Sequence, residues 1–328
     1  MLRAFLAVVL LFLPVQALAR CEGTDLIEAL PSDTRTALEA RAAAKPYAEG
    51  LLWQAVRGDL RITLFGTYHL AHPMTEAHLH ALRPFIDRAD AVFLEISADD
   101  EKRLEGMLAE DPSVMFIVEG PTLPDLLGEE DWQRLSTALS ARGFPSFMVA
   151  KFKPLWASMM LGIGPCEAQS GALAEKGIDK RIGDYAAGIG TPSQSLEDAL
   201  TLLTLLDDAP LEEQLDAIRL FLDWQGDPDD VSYTLRERYL AEQTALIWEF
   251  SRLISEADGG AEGAESFARF EDLLLTQRNI DWVQSLEAMG LSGEVFVAAG
   301  AAHWPGEMGV LNLLNQQGFA IERLPFTP

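Results

Sequence analysis

Apolar residues follow two rhythms along this chain. Near the ends they come in short continuous runs, in Gly50-Leu51-Leu52-Trp53-Gln54-Ala55-Val56, Leu60-Arg61-Ile62-Thr63-Leu64-Phe65, Ala91-Val92-Phe93-Leu94 and Glu294-Val295-Phe296-Val297-Ala298-Ala299. Runs of this length and composition predict buried strands. Arg57-Gly58-Asp59 between the first two predicts a hairpin. Helical spacing flanks the runs over 33–44, 75–88 and 281–289, and over a helix that starts at Pro305-Gly306-Glu307 and continues through Leu314. Phe319-Ala320-Ile321-Glu322-Arg323-Leu324 supplies a last strand.

Between 99 and 290 the spacing is mainly helical. It is broken at Gly120-Pro121, Gly143-Phe144-Pro145, Thr191-Pro192 and Gly226-Asp227-Pro228, with one strand near Ser195-Leu196. The segment 257–264, with Asp258-Gly259-Gly260, reads as a flexible loop. The order predicts an α/β fold whose central β-sheet is built from N- and C-terminal segments, with a large mainly helical insertion over 99–290. No repeat of solenoid length is present.

The first nineteen residues carry Arg3, an apolar run to Pro14 and Ala17-Leu18-Ala19, the pattern of a cleaved secretory signal peptide. The expected product is one domain over 20–328, exported and periplasmic or secreted. The run is shorter than the roughly 20 residues of a membrane span, so no stable membrane anchor is expected. In an oxidising compartment Cys21 and Cys166 predict one disulfide, with two buried thiols as the alternative. A formal charge of −26 argues against nucleic acid and anionic bilayers as partners. A peptide or small-molecule ligand remains, and the oligomeric state is unspecified.

Candidate chemistry collects at strand ends, where open α/β sheets place their ligand crevice. Gly66-Thr67-Tyr68-His69 and Gly300-Ala301-Ala302-His303 each close a strand, and Glu95 closes another. Gly66 and Gly300 allow a sharp turn or a close backbone approach. His69, His303 and Glu95 suit a divalent metal such as Mn, Co or Zn with positions left open for water or substrate. Glu95 serves equally well as ligand or general base. His78 and His80, two apart on a helix, cannot chelate together, and surface positions are expected for both. His72 either lines the site or belongs to a simple turn. Trp224, Trp248 and Trp282 are expected in the core, with a place in a cleft wall as the alternative. No phosphate loop, nucleophile elbow or calcium loop is present.

Both Gly-x-x-His segments, Glu95, Arg278-Asn279-x-x-Trp282 and the ending Phe296-Val297-Ala298-Ala299-Gly300-Ala301-Ala302-His303-Trp304-Pro305-Gly306-Glu307 resemble the TraB/GumN family. The resemblance covers about 53–324 and is strongest at its two ends, while Gly177-Ile178-Asp179 and Leu196-Glu197 also resemble family positions. It implies relation to the Tiki metalloproteases and to the erythromycin esterase and ChaN-like fold. It also implies functional roles for His69, His303, Glu95 and Arg278. On spacing alone Arg278 reads as a solvated surface group or as one member of an i, i+4 pair with a nearby acid. The resemblance instead implies that it orients Glu95 or stabilises an oxyanion, with Asn279 adding a neutral hydrogen bond. The function expected is an exported metal-dependent hydrolase, peptidase-like. The alternative is a non-catalytic periplasmic binding protein for a peptide, signal molecule or saccharide.

Overall fold

The computed structural model describes residues 21–328. The expected signal peptide lies outside the described residues. Strands β1 (Leu52–Arg57) and β2 (Leu60–Thr67) form the predicted hairpin, and Gly58 at its tip takes φ +63°, as tight hairpin turns require. With β3 (Ala91–Leu94), β4 (Ser193–Ser195), β5 (Gly293–Gly300) and β6 (Ala320–Arg323) they make a six-stranded sheet ordered β4-β3-β5-β2-β1-β6. Strands β2 to β5 run parallel, and β1 is antiparallel to both β2 and β6. The sheet is therefore built from both ends of the chain, with β5 inserted between β2 and β3.

The continuous apolar runs are explained by burial on both faces. On β5, Val295, Val297 and Ala299 join one core with Trp282, Leu286, Leu311 and Leu314. Phe296 and Ala298 alternate onto the other face, against Leu82, Ile86, Ile178 and Ile182. Helices Gln277–Ala288 and Val310–Gln316 cover the first face, and helices Thr75–Ile86 and Ile178–Ile189 the second. A separate helical core, including Leu123, Leu135, Leu161 and Ile218, lies within the insertion.

Three local expectations change. Residues 257–264 form no open loop: helix Thr244–Glu271 turns at Gly260 and folds back, joined across its arms by Trp248 with Phe267 and by Arg252 with Glu271. After the second motif, Gly306 at φ +100° cannot start a helix, so the helix begins only at Val310. His78 is buried rather than on the surface, because it shares a stripe with Leu82 and Ile86. Its ring packs against Phe65, His72, Tyr239 and Phe326.

Cys21 and Cys166 form a disulfide across a separation of 145 residues. Closing so long a loop constrains the unfolded chain by ~5 kcal/mol in the chain-entropy account. No described helix is long and apolar enough to cross a membrane.

Candidate functional site

Strand register brings the two motifs together. Gly66 pairs with Ala299 and Thr67 with Gly300, so both chains leave the sheet side by side. Leu94 pairs with Ala298, which sets Glu95 beside the same exit. Glu95 Oε1 accepts from the Gly300 N–H at 2.5 Å and lies 3.8 Å from His69 Nε2 and 4.0 Å from His303 Nε2. Gly300 is needed here: a Cβ would stand 3.1 Å from His69 Nε2 and 3.2 Å from Glu95 Oε1, inside the space the three side chains share. Gly66 serves packing instead, since a Cβ there would meet Trp304 Nε1 at 2.6 Å.

Each imidazole is fixed through its far nitrogen. Asn279 donates from Nδ2 to the Met308 carbonyl at 2.9 Å, which turns its Oδ1 toward His303 Nδ1 at 2.6 Å. His303 therefore carries its proton on Nδ1 and presents a lone pair at Nε2. Trp282 lies against the ring, with centroids 4.3 Å apart. For His69 the partner is Asp179, 3.3 Å from Nδ1, and Asp179 also accepts from the Thr67 hydroxyl. Gly177 packs so closely on the His69 carbonyl that a Cβ would lie 2.0 Å from it.

The electrostatics of the two rings differ. Burial, above all, lowers the His303 pKa to about 3, so this imidazole is neutral. The Asp179 carboxylate raises that of His69, with a smaller contribution from Glu95. Solvent screening tempers that hold, because the His69 side chain is 63% exposed. Burial opposes the charge on Glu95, but His69, His303, Arg278 and the Gly300 N–H outweigh it and hold the carboxyl at about 2.

Arg278 completes the cluster from the first turn of helix Gln277–Ala288. It donates from Nη2 to Glu95 Oε2 at 2.7 Å, from Nε to Glu197 Oε2 at 2.9 Å and from Nη1 to the Leu274 carbonyl at 2.8 Å. Leu274 belongs to a short π-helical turn, Asp272–Thr276, a distortion often found at functional sites. The structure thus gathers His69, Glu95, His303, Arg278, Asn279, Gly66 and Gly300. His72 points away into the aromatic cluster around His78 and Tyr239. Trp282 is both core and site wall, whereas Trp224 and Trp248 are only partly buried.

Two carboxylates were missed as site members. Asp179 and Glu197 both come from the helical insertion, and their one signal was the resemblance of Gly177-Ile178-Asp179 and Leu196-Glu197 to family positions.

The donor set suits a metal chemically. Two imidazole nitrogens and a carboxylate surround a space left by a glycine, with a carboxylate and an amide fixing the imidazoles from behind. Among the described residues, no group of three or more His, Cys, Asp or Glu side chains is already gathered tightly enough to hold an ion. Tetrahedral ligands at ~2.1 Å bonds stand about 3.4 Å apart. Glu95 Oε1 stands 3.8 and 4.0 Å from the two Nε2 atoms, wider than that spacing.

An α/β sheet with paired histidines and a carboxylate at adjacent parallel strand ends defines a class of proteins with a polar site on the sheet's C-terminal edge. The model of the TraB/PrgY/gumN family matches residues 51–323, and the chain belongs to that family. No curated protein matches it.

Proposed function

We propose that this chain is an exported metal-dependent hydrolase of peptide or amide bonds, with His69, His303 and Glu95 as the ligands of a divalent ion. The observation that carries this reading is the convergence of two Nε2 atoms and Glu95 Oε1 around Gly300, with the far nitrogen of each imidazole held by Asp179 or Asn279. A bound Mn, Co or Zn ion would polarise the scissile carbonyl and acidify a water toward neutral pH.

The chain's own residues divide the remaining work. Glu95 turns Oε1 toward both imidazoles while Arg278 holds its Oε2, so it acts as ligand and fixed negative charge. Arg278 offers guanidinium N–H groups next to the ligands, placed to favour an oxyanion. Exposed His69 forms the open side of the site, where substrate enters. The Cys21–Cys166 bridge supports export, because such bonds persist in oxidising compartments.

Isothermal titration of the metal-free protein with Mn²⁺, Co²⁺ and Zn²⁺ tests this. Saturable binding to one site, lost in His69→Ala and in His303→Ala, is expected, with peptide hydrolysis lost in parallel. Absence of binding by the wild type would sink the metal assignment. Binding without turnover of any peptide in a broad library would favour the non-catalytic alternative.

A further inference from the structure

Two of the three side chains assigned to a metal already have a cation. Arg278 donates from Nη2 to Glu95 Oε2 at 2.7 Å, and its Nη1 lies 3.3 Å from His303 Nε2. The guanidinium thus covers one carboxylate oxygen and the lone pair of the buried imidazole, which a divalent ion would need. Simple ejection of Arg278 is not an available solution. Its side chain is only 12% exposed, and a guanidinium stranded there without a carboxylate would be strongly unfavourable.

Glu197 supplies the alternative. It accepts from Arg278 Nε at 2.9 and 3.2 Å and also from Nη2, while the Leu274 carbonyl holds Nη1. Trp282 lies beneath the guanidinium, 4.9 Å from ring centroid to Cζ, and its Nε1 reaches Glu197 at 3.4 Å. All of these contacts persist if Glu95 and His303 let go. Two carboxylates face one guanidinium, so one is spare.

We propose that Arg278 is the resident cation that occupies Glu95 Oε2 and His303 Nε2 in the metal-free chain, and that Glu197 is the positioning residue that retains it when those two side chains turn to a divalent ion. This rests on the assignment of His69, His303 and Glu95 as ligands. Without Glu197, Arg278 stays on Glu95 and competes with the metal. With Glu197 in place, the competition is relieved and the buried charge remains paired.

The test is a double-mutant cycle read as Zn²⁺ and Mn²⁺ affinity by calorimetry, using wild type, Glu197→Gln, Arg278→Gln and the pair, with metal-free thermal unfolding as the folding control. Glu197→Gln is expected to weaken binding roughly tenfold or more, the usual range for supporting residues. Arg278→Gln should leave affinity unchanged or raise it, and in that background the effect of Glu197→Gln should shrink below about threefold. Glu197→Asp keeps the charge but withdraws the carboxylate, and it too should weaken binding.

Equal losses in both backgrounds would make Glu197 a mere nearby charge and overturn the proposal. So would weaker binding in Arg278→Gln, which would show that Arg278 orients Glu95 instead of competing for it. Wild type that binds metal while Glu197→Gln is unaffected defeats the retention role alone. Wild type that binds neither ion defeats the ligand assignment and this proposal with it.

Discussion

The two Gly-x-x-His motifs share a sequence pattern and a place at the end of a parallel strand, yet they put their histidines in opposite environments. His303 is 4% exposed and held by the neutral amide of Asn279, whereas His69 is 63% exposed and held by the carboxylate of Asp179. The pairing has a physical logic. A carboxylate beside a buried imidazole would add a second desolvated charge next to Glu95, which an amide avoids. At the open mouth, water shares the cost of charge and a carboxylate is tolerated. The glycines differ as well: Gly66 admits Trp304, and Gly300 keeps free the space between His69, Glu95 and His303. A repeated motif therefore repeats geometry, while the insertion and the last helices decide chemistry.

The strongest way to break this comparison is Gly66→Ala. Its Cβ would lie 2.6 Å from Trp304 Nε1 and 3.0 Å from the Ala301 backbone, in a region with no room to give. Overpacking of this kind costs about 1–3 kcal/mol, and a lower thermal midpoint is expected. In Gly300→Ala the nearest atoms are side-chain termini, so the midpoint should move less while metal affinity is lost. If the two variants lost stability equally, the distinction between a packing glycine and a site glycine would collapse. Next in size comes Asn279→Leu, which leaves the buried His303 Nδ1–H without an acceptor. A loss of roughly 1–3 kcal/mol is expected in chemical denaturation, and a loss near zero would show that Asn279 does not fix this ring.

Acid sharpens the comparison from behind the first motif. Burial, as the leading cause, lowers the His72 pKa to about 3 and the His78 pKa to about 4. Both rings are neutral in the fold but take protons near pH 6.5 when unfolded. Their contribution is thus intact above pH 6.5 and shrinks as pH falls from there toward 4, by up to about 1.4 kcal/mol per pH unit for each ring. His78→Phe keeps the aromatic packing and removes one of these groups. Its midpoint should fall less than that of wild type between pH 7 and pH 5. An identical acid slope would place the sensitivity elsewhere.

These contrasts also mark how far the sequence could be read. The strands, the insertion and the convergence of His69, Glu95 and His303 were legible, because continuous apolar runs closed by glycine or carboxylate have few other uses in an α/β chain. The partners were not. Asp179 opens helix Ile178–Ile189, where an acidic residue is ordinary for the helix dipole. Glu197 follows a strand of three residues, too short to show a periodicity. His78 was legible in retrospect, since its spacing from Leu82 and Ile86 is that of a buried stripe. A polar residue type masked it.

The smallest effect on stability, and the finest test of the two-environment reading, belongs to Asp179→Asn. The Thr67 hydroxyl can still donate to the amide oxygen of the variant, and His69 keeps its solvent. A change within about 0.5 kcal/mol is therefore expected. Because Asp179 raises the His69 pKa, the stability it contributes is full below pH 6.5 and is lost as pH rises through the folded value. The deficit of the variant should accordingly appear on the acid side and vanish at alkaline pH, the reverse of the His72 and His78 effect. Imidazole resonances followed by NMR should show the His69 titration moving down toward the ordinary histidine range while His303 stays neutral. A shift of His303 together with His69 would mean that the two rings titrate as one unit, and that the amide and the carboxylate do not insulate the motifs from each other.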